Sequence, residues 1–159
     1  GAGAGGGGGG GGEGGGGLSI QGLPITKPPY ARITALDMNK GTLAWQVPHG
    51  DTADNTKQIF QRLGITYNQR TGRQGRIGVL TTKTLLIAGE GGFATVNGKR
   101  GALLRAYDKA TGKDAGAVYM PAPQTGSPMT YMHQGKQYIV LAIGAGNYPA
   151  EYVAYRLAE

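Results

Sequence analysis

From Leu18 onward, hydrophobic and polar residues form short β-type runs separated by turn signals. The run "ARITALDM" ends at an Asp and Gly turn and "GTLAWQV" follows, so Asn39 to Gly41 is predicted to connect a hairpin. Turn signals recur about every 8 to 12 residues and no stretch shows sustained helical periodicity, which favours an all-β sandwich, barrel or propeller. The further strand candidates are "IGVLTTKTLLIAG" with a turn at Thr82 and Lys83, "GALLRAYD", "AGAVYMP", "MTYMHQGKQYIVLAIG" and "EYVAYRL".

A long polar segment, residues 49–75, interrupts the strand pattern and is predicted to be an inserted loop, with one or two helical turns over Thr56 to Leu63.

A stretch of basic residues without acidic residues among them overlaps this predicted loop. Together with the net charge of +7, this stretch raises the question of nucleic-acid binding. Because surface charge is common, we interpret it as a solvated loop. Its members are Lys57, Arg62, Arg70, Arg73 and Arg76.

The first 17 residues hold 14 of the 32 glycines. A run without side chains cannot offset the entropy of ordering itself, so residues 1–17 are predicted to be flexible and residues 18–159 to form the folded part. A glycine-rich nucleic-acid binder would need arginine or aromatic residues in this run. Glu13 is the only residue there other than Gly and Ala, so we predict no nucleic-acid partner.

The chain has no cysteine, which excludes disulfides and thiolate chemistry but fits reducing and oxidising compartments alike. No apolar run reaches the roughly 18 to 20 residues that span a bilayer. Neither His49 nor His133 has an acidic residue at the sequence spacing typical of metal ligands. We interpret both as loop or turn residues rather than metal ligands or general bases.

An internal repeat narrows the β options. "RITALDMNKGTLAWQVP" lies over "LRAYDKATGKDAGAVYMP", and "YVAYRL" begins a third copy. Such repeats suggest propeller blades of about 40 to 50 residues. In each copy the Asp is expected to accept turn hydrogen bonds and the Gly to take a positive φ, while Trp45 packs between blades or, alternatively, in a sandwich core. The paired positions are Ala35 and Ala106, Asp37 and Asp108, Gly41 and Gly112, and Trp45 and Gly116.

At these residues the sequence resembles the quinoprotein dehydrogenases, eight-bladed propeller enzymes that use pyrroloquinoline quinone (PQQ) and calcium. Their tryptophan docking motif, A-x-D-x-x-T-G-x-x-x-W, is matched by the first copy except that Lys40 stands where Thr is usual. The second copy has Gly116 in place of the Trp. The blocks "KPPYARITALDMNKG", "LLRAYDKATGK", "GSPMTYMHQGKQYIVLAIGAGNYPAE" and "VAYRL" are similar to the last blades of the family's glucose and alcohol dehydrogenases.

The resemblance implies that residues 18–159 are about two to three C-terminal blades, partnered by the remaining blades of the same protein. The complete protein would oxidise the CH–OH group of a glucose-like sugar or an alcohol and pass electrons to a respiratory quinone or cytochrome. Its expected place is the bacterial periplasm or the periplasmic face of the inner membrane. This segment alone is expected to be inactive, since it matches no catalytic residue or calcium ligand of the family. A non-catalytic propeller scaffold or protein-binding module is the alternative.

One local site is also implied by the resemblance. In the family's alcohol dehydrogenases a segment G-x-G-G-W-P reaches the quinone at the propeller axis, and "GAGNYP" is similar to it. Gly146 would allow close backbone approach, Asn147 would hydrogen-bond the quinone and Tyr148 would supply an aromatic wall. An ordinary loop with a surface tyrosine is the alternative. Arg76 is a further candidate to bind an anionic cofactor, because guanidinium pairs well with carboxylate. The alternative is that Arg76 belongs to the solvated loop.

Overall fold

The computed structural model describes residues 18–75 and 77–156. These residues form short antiparallel sheets and a single α-helix, so the all-β prediction is confirmed. The glycine-rich residues 1–17, predicted to be flexible, lie outside the described residues, and so does Arg76. Within the described ranges, no helix is long and apolar enough to cross a membrane.

Twelve strands and one helix follow one another along the described chain. They are β1 (Ser19–Ile20), β2 (Leu23–Pro24), β3 (Arg32–Asp37), β4 (Thr42–Pro48), α1 (Asp54–Arg62), β5 (Leu80–Thr81), β6 (Leu85–Gly89), β7 (Ala94–Val96), β8 (Lys99–Asp108), β9 (Asp114–Met120), β10 (Met129–His133), β11 (Lys136–Ala145) and β12 (Tyr148–Arg156).

Three sheets carry most of these strands. The first sheet is the hairpin β3–β4, the second has the order β5–β6–β8–β9 with β7 beside the start of β8, and the third has the order β10–β11–β12. The predicted turns at Asn39 to Gly41 and at Thr82 and Lys83 are confirmed. The pattern missed β7, which has only three residues and turns into β8 at Asn97 and Gly98, both with positive φ.

The two copies of the internal repeat have the same strand register. In the first sheet Ala35 pairs with Trp45, and in the second Ala106 pairs with Gly116. A register shift follows at once in both hairpins, between Ala35 and Leu36 and between Ala106 and Tyr107. The sequence alignment of the two copies therefore holds in three dimensions.

The turns of the two copies are also alike. Asp37 Oδ1 accepts the backbone N–H of Asn39 at 3.0 Å, and Asp108 Oδ1 accepts that of Thr111 at 2.8 Å. Gly41 and Gly112 follow with φ of 66° and 72°, a conformation that side chains resist. The short polar side chain and the glycine together set each turn.

The second sheet lies between the other two. On one face Ile87 and Leu104 form a core with Leu141 and Ile143 of the third sheet. On the other face Leu86, Ala88 and Tyr107 are buried against Ile33, Trp45, Val47 and Ile77. Burial of apolar side chains on both faces thus holds the three sheets in a row.

Trp45 packs at the contact between the first and second sheets. Its Nε1 donates a hydrogen bond to the carbonyl of Lys109 at 2.9 Å, across 64 positions of sequence. Its ring lies on Gly112, where an added Cβ would come within 2.6 Å of the indole. A glycine is thus required in this turn both for its φ and for the approach of the ring.

The segment between the first and second sheets is more ordered than a solvated loop. Its helix α1 includes most of the predicted helical turn. Arg70 forms an ion pair with Asp114 at 2.8 Å. Arg73 is only 6% exposed, and its Nη1 donates to the carbonyl of Phe93 at 2.7 Å. The interpretation of the basic stretch as solvated is therefore wrong for Arg73, because its side chain is buried and bonds a backbone carbonyl. The sequence pattern did not show this, since Phe93 lies 20 positions further along the chain.

Candidate functional site

The candidate site lies at the end of the sheets where β4, β6 and β11 finish, which we call the loop end. Gln124 connects two of these strands, since its Oε1 accepts the Gly89 N–H at 2.6 Å and its backbone bridges Ile143. The His49 ring lies 3.0 Å from the carbonyl of Gly89 through Nε2. Through Gly89 and Gln124, the ends of β4, β6 and β11 are therefore connected at this end of the sheets.

A buried polar cluster joins the first and second sheets at the loop end. Arg105 Nε donates to Glu90 Oε1 at 2.6 Å, and its Nη2 lies 2.8 Å from Asp51 Oδ1. Glu90 Oε1 also accepts the backbone N–H of Asp51 at 3.2 Å. Because Glu90 is only 1% exposed, its charge is balanced by Arg105 rather than by water.

His49 belongs to the same cluster. It is 3% exposed, and its Nδ1 lies 3.0 Å from the hydroxyl of Tyr107. The carbonyl of Gly89 can only accept, so Nε2 carries the proton and Nδ1 accepts from Tyr107. His49 follows β4 directly and lies outside the strands and the helix, where it is a buried, hydrogen-bonded connector between the first and second sheets. His133 is the exposed last residue of β10.

The titrating groups of the cluster reflect this environment. Burial lowers the pKa of His49, the charges of Arg105 and Arg70 lower it further, and the Gly89 hydrogen bond and the Glu90 charge oppose them. Burial also works against the charged form of Arg105, but the hydrogen bond and charge of Glu90 together with Asp51 raise its pKa overall. The cluster thus favours a neutral His49 beside a charged Arg105.

We expect the stability of the fold to fall below neutral pH through His49. Its pKa in the folded state lies below the value near 6.5 of the unfolded chain. Above about pH 6.5 the imidazole is neutral in both states, and its contribution to the free energy of unfolding is fully present. As the pH falls from there toward the folded pKa, the free energy of unfolding decreases by at most about 1.4 kcal/mol per pH unit. Urea unfolding of wild type and His49→Gln, which cannot titrate, measures the difference. Equal pH slopes in both proteins would contradict the expectation.

The "GAGNYP" segment forms the two-residue turn between β11 and β12. Gly146 has a φ of 58° with open space where a Cβ would stand, and Asn147 is exposed beside it. Tyr148 is half-buried against the core, and its hydroxyl donates to Glu151, which raises the pKa of that hydroxyl. The tip of the turn is therefore open to a ligand, while Tyr148 anchors its base.

The structure brings this turn to the same end as the buried cluster. Gly144 N donates to the carbonyl of Pro123 at 2.9 Å, close to Gln124. Over residues 18–75 and 77–156, no group of three or more His, Asp or Glu side chains could hold a metal ion. The sequence offered no signal for the partnership of Glu90, which directly follows β6, with Arg105 of β8, 15 positions further along the chain.

Comparisons with known proteins identify the family. The glucose/ethanol/alcohol dehydrogenase β-propeller domain, a PQQ domain, matches residues 12–139. A probable quinate dehydrogenase (quinone) from Xanthomonas campestris pv. juglandis is 35% identical over 80% of this chain and 15% of that protein. A quinate/shikimate dehydrogenase (quinone) from Acinetobacter baylyi is 32% identical over 89% of this chain and 16% of that protein.

Quinoprotein glucose dehydrogenase A from Acinetobacter calcoaceticus is 28% identical over 89% of this chain and 17% of that protein. The chain thus spans only 15% to 17% of the length of these three relatives. The resemblance drawn from the docking motif is confirmed, and the chain belongs to the family of PQQ-dependent dehydrogenase β-propeller domains.

Proposed function

We propose that this chain supplies two to three of the C-terminal blades in an eight-bladed, PQQ-dependent dehydrogenase. The complete enzyme oxidises a CH–OH group of a sugar, polyol or alcohol. The observation that carries the proposal is the family match over residues 12–139. The names of relatives, which include quinate, glucose and glycerol dehydrogenases, support a hydroxylated carbon as the reacting group.

The open turn at the loop end fits one edge of a flat, polar cofactor. The backbone of Gly146 leaves room for close approach and the Asn147 side chain offers both a donor and an acceptor. Tyr148 and Glu151 hold the turn in place through their hydrogen bond. We also propose that Arg76 pairs with the cofactor's carboxylates, because a guanidinium pairs well with a carboxylate. When bound, PQQ accepts the two electrons of the oxidation, and calcium held by other parts of the protein polarises its carbonyl.

The electron acceptor and compartment form part of the same proposal. Two of the relatives are named as dehydrogenases that use quinone, which supports a respiratory quinone ahead of a cytochrome as acceptor. An enzyme that passes electrons to a respiratory quinone works at a membrane, and we place it at the periplasmic face of the bacterial inner membrane.

The full-length protein, loaded with PQQ and calcium, should reduce an artificial dye in the presence of quinate, glucose or glycerol. Replacing Asn147 with alanine should weaken PQQ binding about tenfold, the effect of losing roughly 1.4 kcal/mol. The matched control is Asn39→Ala, in an exposed turn of the first sheet. A full-length protein that folds but binds no PQQ would reject the enzyme and favour a propeller scaffold.

A further inference from the structure

The side chain of Gln124 connects three backbone segments at the loop end. It is only 3% exposed, and both of its polar atoms are bonded. Oε1 accepts the backbone N–H of Gly89 at 2.6 Å, while Nε2 donates to the carbonyls of Gly78 and Gly126 at 2.8 and 2.6 Å. These partners fix the orientation of the amide, because an N–H needs an acceptor and a carbonyl needs a donor. A buried polar group bonded in this way makes its surroundings rigid.

The backbone around Gln124 runs beside the end of β11, directly before the Gly146 turn. Gln124 forms an antiparallel bridge with Ile143. Next to this bridge, the N–H of Gly144 donates to the carbonyl of Pro123 at 2.9 Å. Gly144 stands two positions before Gly146 in the sequence. The segment around Gln124 therefore supports the base of the turn through main-chain hydrogen bonds.

The same segment also approaches the second sheet and the chain before β5 closely. A Cβ on Gly89 would come within 2.6 Å of Gln124 Oε1, and a Cβ on Gly78 would collide with Ser127 Oγ. Close packing of this kind leaves little room for either backbone to shift. Gly78 stands two positions after Arg76 in the sequence. The segment around Gln124 thus bonds the chain two positions away from each candidate cofactor contact.

We propose that Gln124 is a positioning residue for the cofactor: it fixes the Gly146 turn relative to the chain that follows Arg76, and so determines how tightly PQQ binds. The inference rests on the proposed function. Groups that contact a ligand must be held within about 0.5 Å of their productive positions, and hydrogen-bonded residues behind them hold them there. Gln124 acts through the backbone of both segments and needs no contact with the cofactor itself.

Calorimetric titration of the full-length, calcium-loaded protein with PQQ tests the proposal in the variant Gln124→Met. Methionine keeps the length of the side chain but has no N–H donor. The carbonyl of Gly78 and the N–H of Gly89 then lose their fixed partner. We expect this variant to bind PQQ at least about tenfold more weakly than the wild type.

The matched control is Tyr155→Phe, which also removes a hydrogen bond between the second and third sheets. The Tyr155 hydroxyl, near the end of β12, donates to the carbonyl of Tyr119 of β9 at 2.9 Å. Because Tyr148 begins β12 at the Gly146 turn, this bond lies toward the other end of the strand. A residue that only holds the sheets together would behave like Tyr155. The control variant should bind PQQ as the wild type does.

If Gln124→Met fails to fold, Gln124→Glu takes its place. The carboxylate keeps the shape of the side chain and the acceptor for Gly89, but has no donor for the carbonyl of Gly78, so the same loss of affinity is expected. Equal PQQ affinity in the folded Gln124 variant and in Tyr155→Phe would overturn this inference and leave the dehydrogenase assignment standing. A folded wild type that binds no PQQ would overturn both.

Discussion

Replacing Trp45 with alanine should lower the free energy of unfolding by about 3 kcal/mol, the low end for tryptophan truncation because the side chain is only half-buried. The substitution removes the ring from the face of Gly112 and deletes the hydrogen bond to Lys109. Both contacts join different sheets, so the first sheet should detach more readily from the second. Urea unfolding followed by far-ultraviolet circular dichroism measures the change.

Three further variants separate the causes of this effect. Trp45→Phe keeps a ring but loses the Nε1 donor, and should cost about 1 kcal/mol from the hydrogen bond alone. Gly41→Ala and Gly112→Ala both introduce a side chain at positive φ, but only the latter Cβ would collide with the indole, at 2.6 Å. We therefore expect Gly112→Ala to be more destabilising. Equal losses in the two glycine variants would show that the indole does not rest on this turn.

Replacing Glu90 with glutamine should destabilise the protein by about 3 kcal/mol, since Arg105 loses its buried charge partner and keeps only the partly exposed carboxylate of Asp51. Glu90 is 1% exposed, and its Oε1 accepts from Arg105 at 2.6 Å. The amide keeps the shape of the side chain, so the loss reports on charge rather than on packing. Chemical denaturation at neutral pH gives the difference in the free energy of unfolding.

The matched control for the buried pair is Asp51→Asn, which removes the other carboxylate that contacts Arg105. The side chain of Asp51 is 45% exposed, so its loss should cost no more than about 1 kcal/mol. In the double variant Glu90→Gln with Arg105→Met, no buried charge of the pair remains and the carboxylate of Asp51 is 45% exposed to water, so much of the stability should return. If Glu90→Gln costs no more than Asp51→Asn, the buried pair does not hold the sheets together.

Much of the strand and turn pattern was predictable from neighbouring residues. The hairpin of β3 and β4 follows from alternation in "RITALD" and from the Asp37 and Gly41 turn, because both signals act within a few positions. The sequence pattern did not predict β1, β2 and β7, because strands of two or three residues are too short to show an alternation of hydrophobic and polar residues. The open turn at Gly146 was predicted as a site from the resemblance, and its role there stays a prediction.

The sequence by itself determined the β class, the repeat and the family, because strand alternation, turn glycines and motif spacing are local in the chain. Only the tertiary structure decided which polar residues are buried. His49 reaches Gly89, Arg73 reaches Phe93, and Trp45 reaches Lys109 across 20 to 64 positions. Burial and hydrogen bonding at such distances depend on how the sheets pack, which the order of residue types along one strand does not specify.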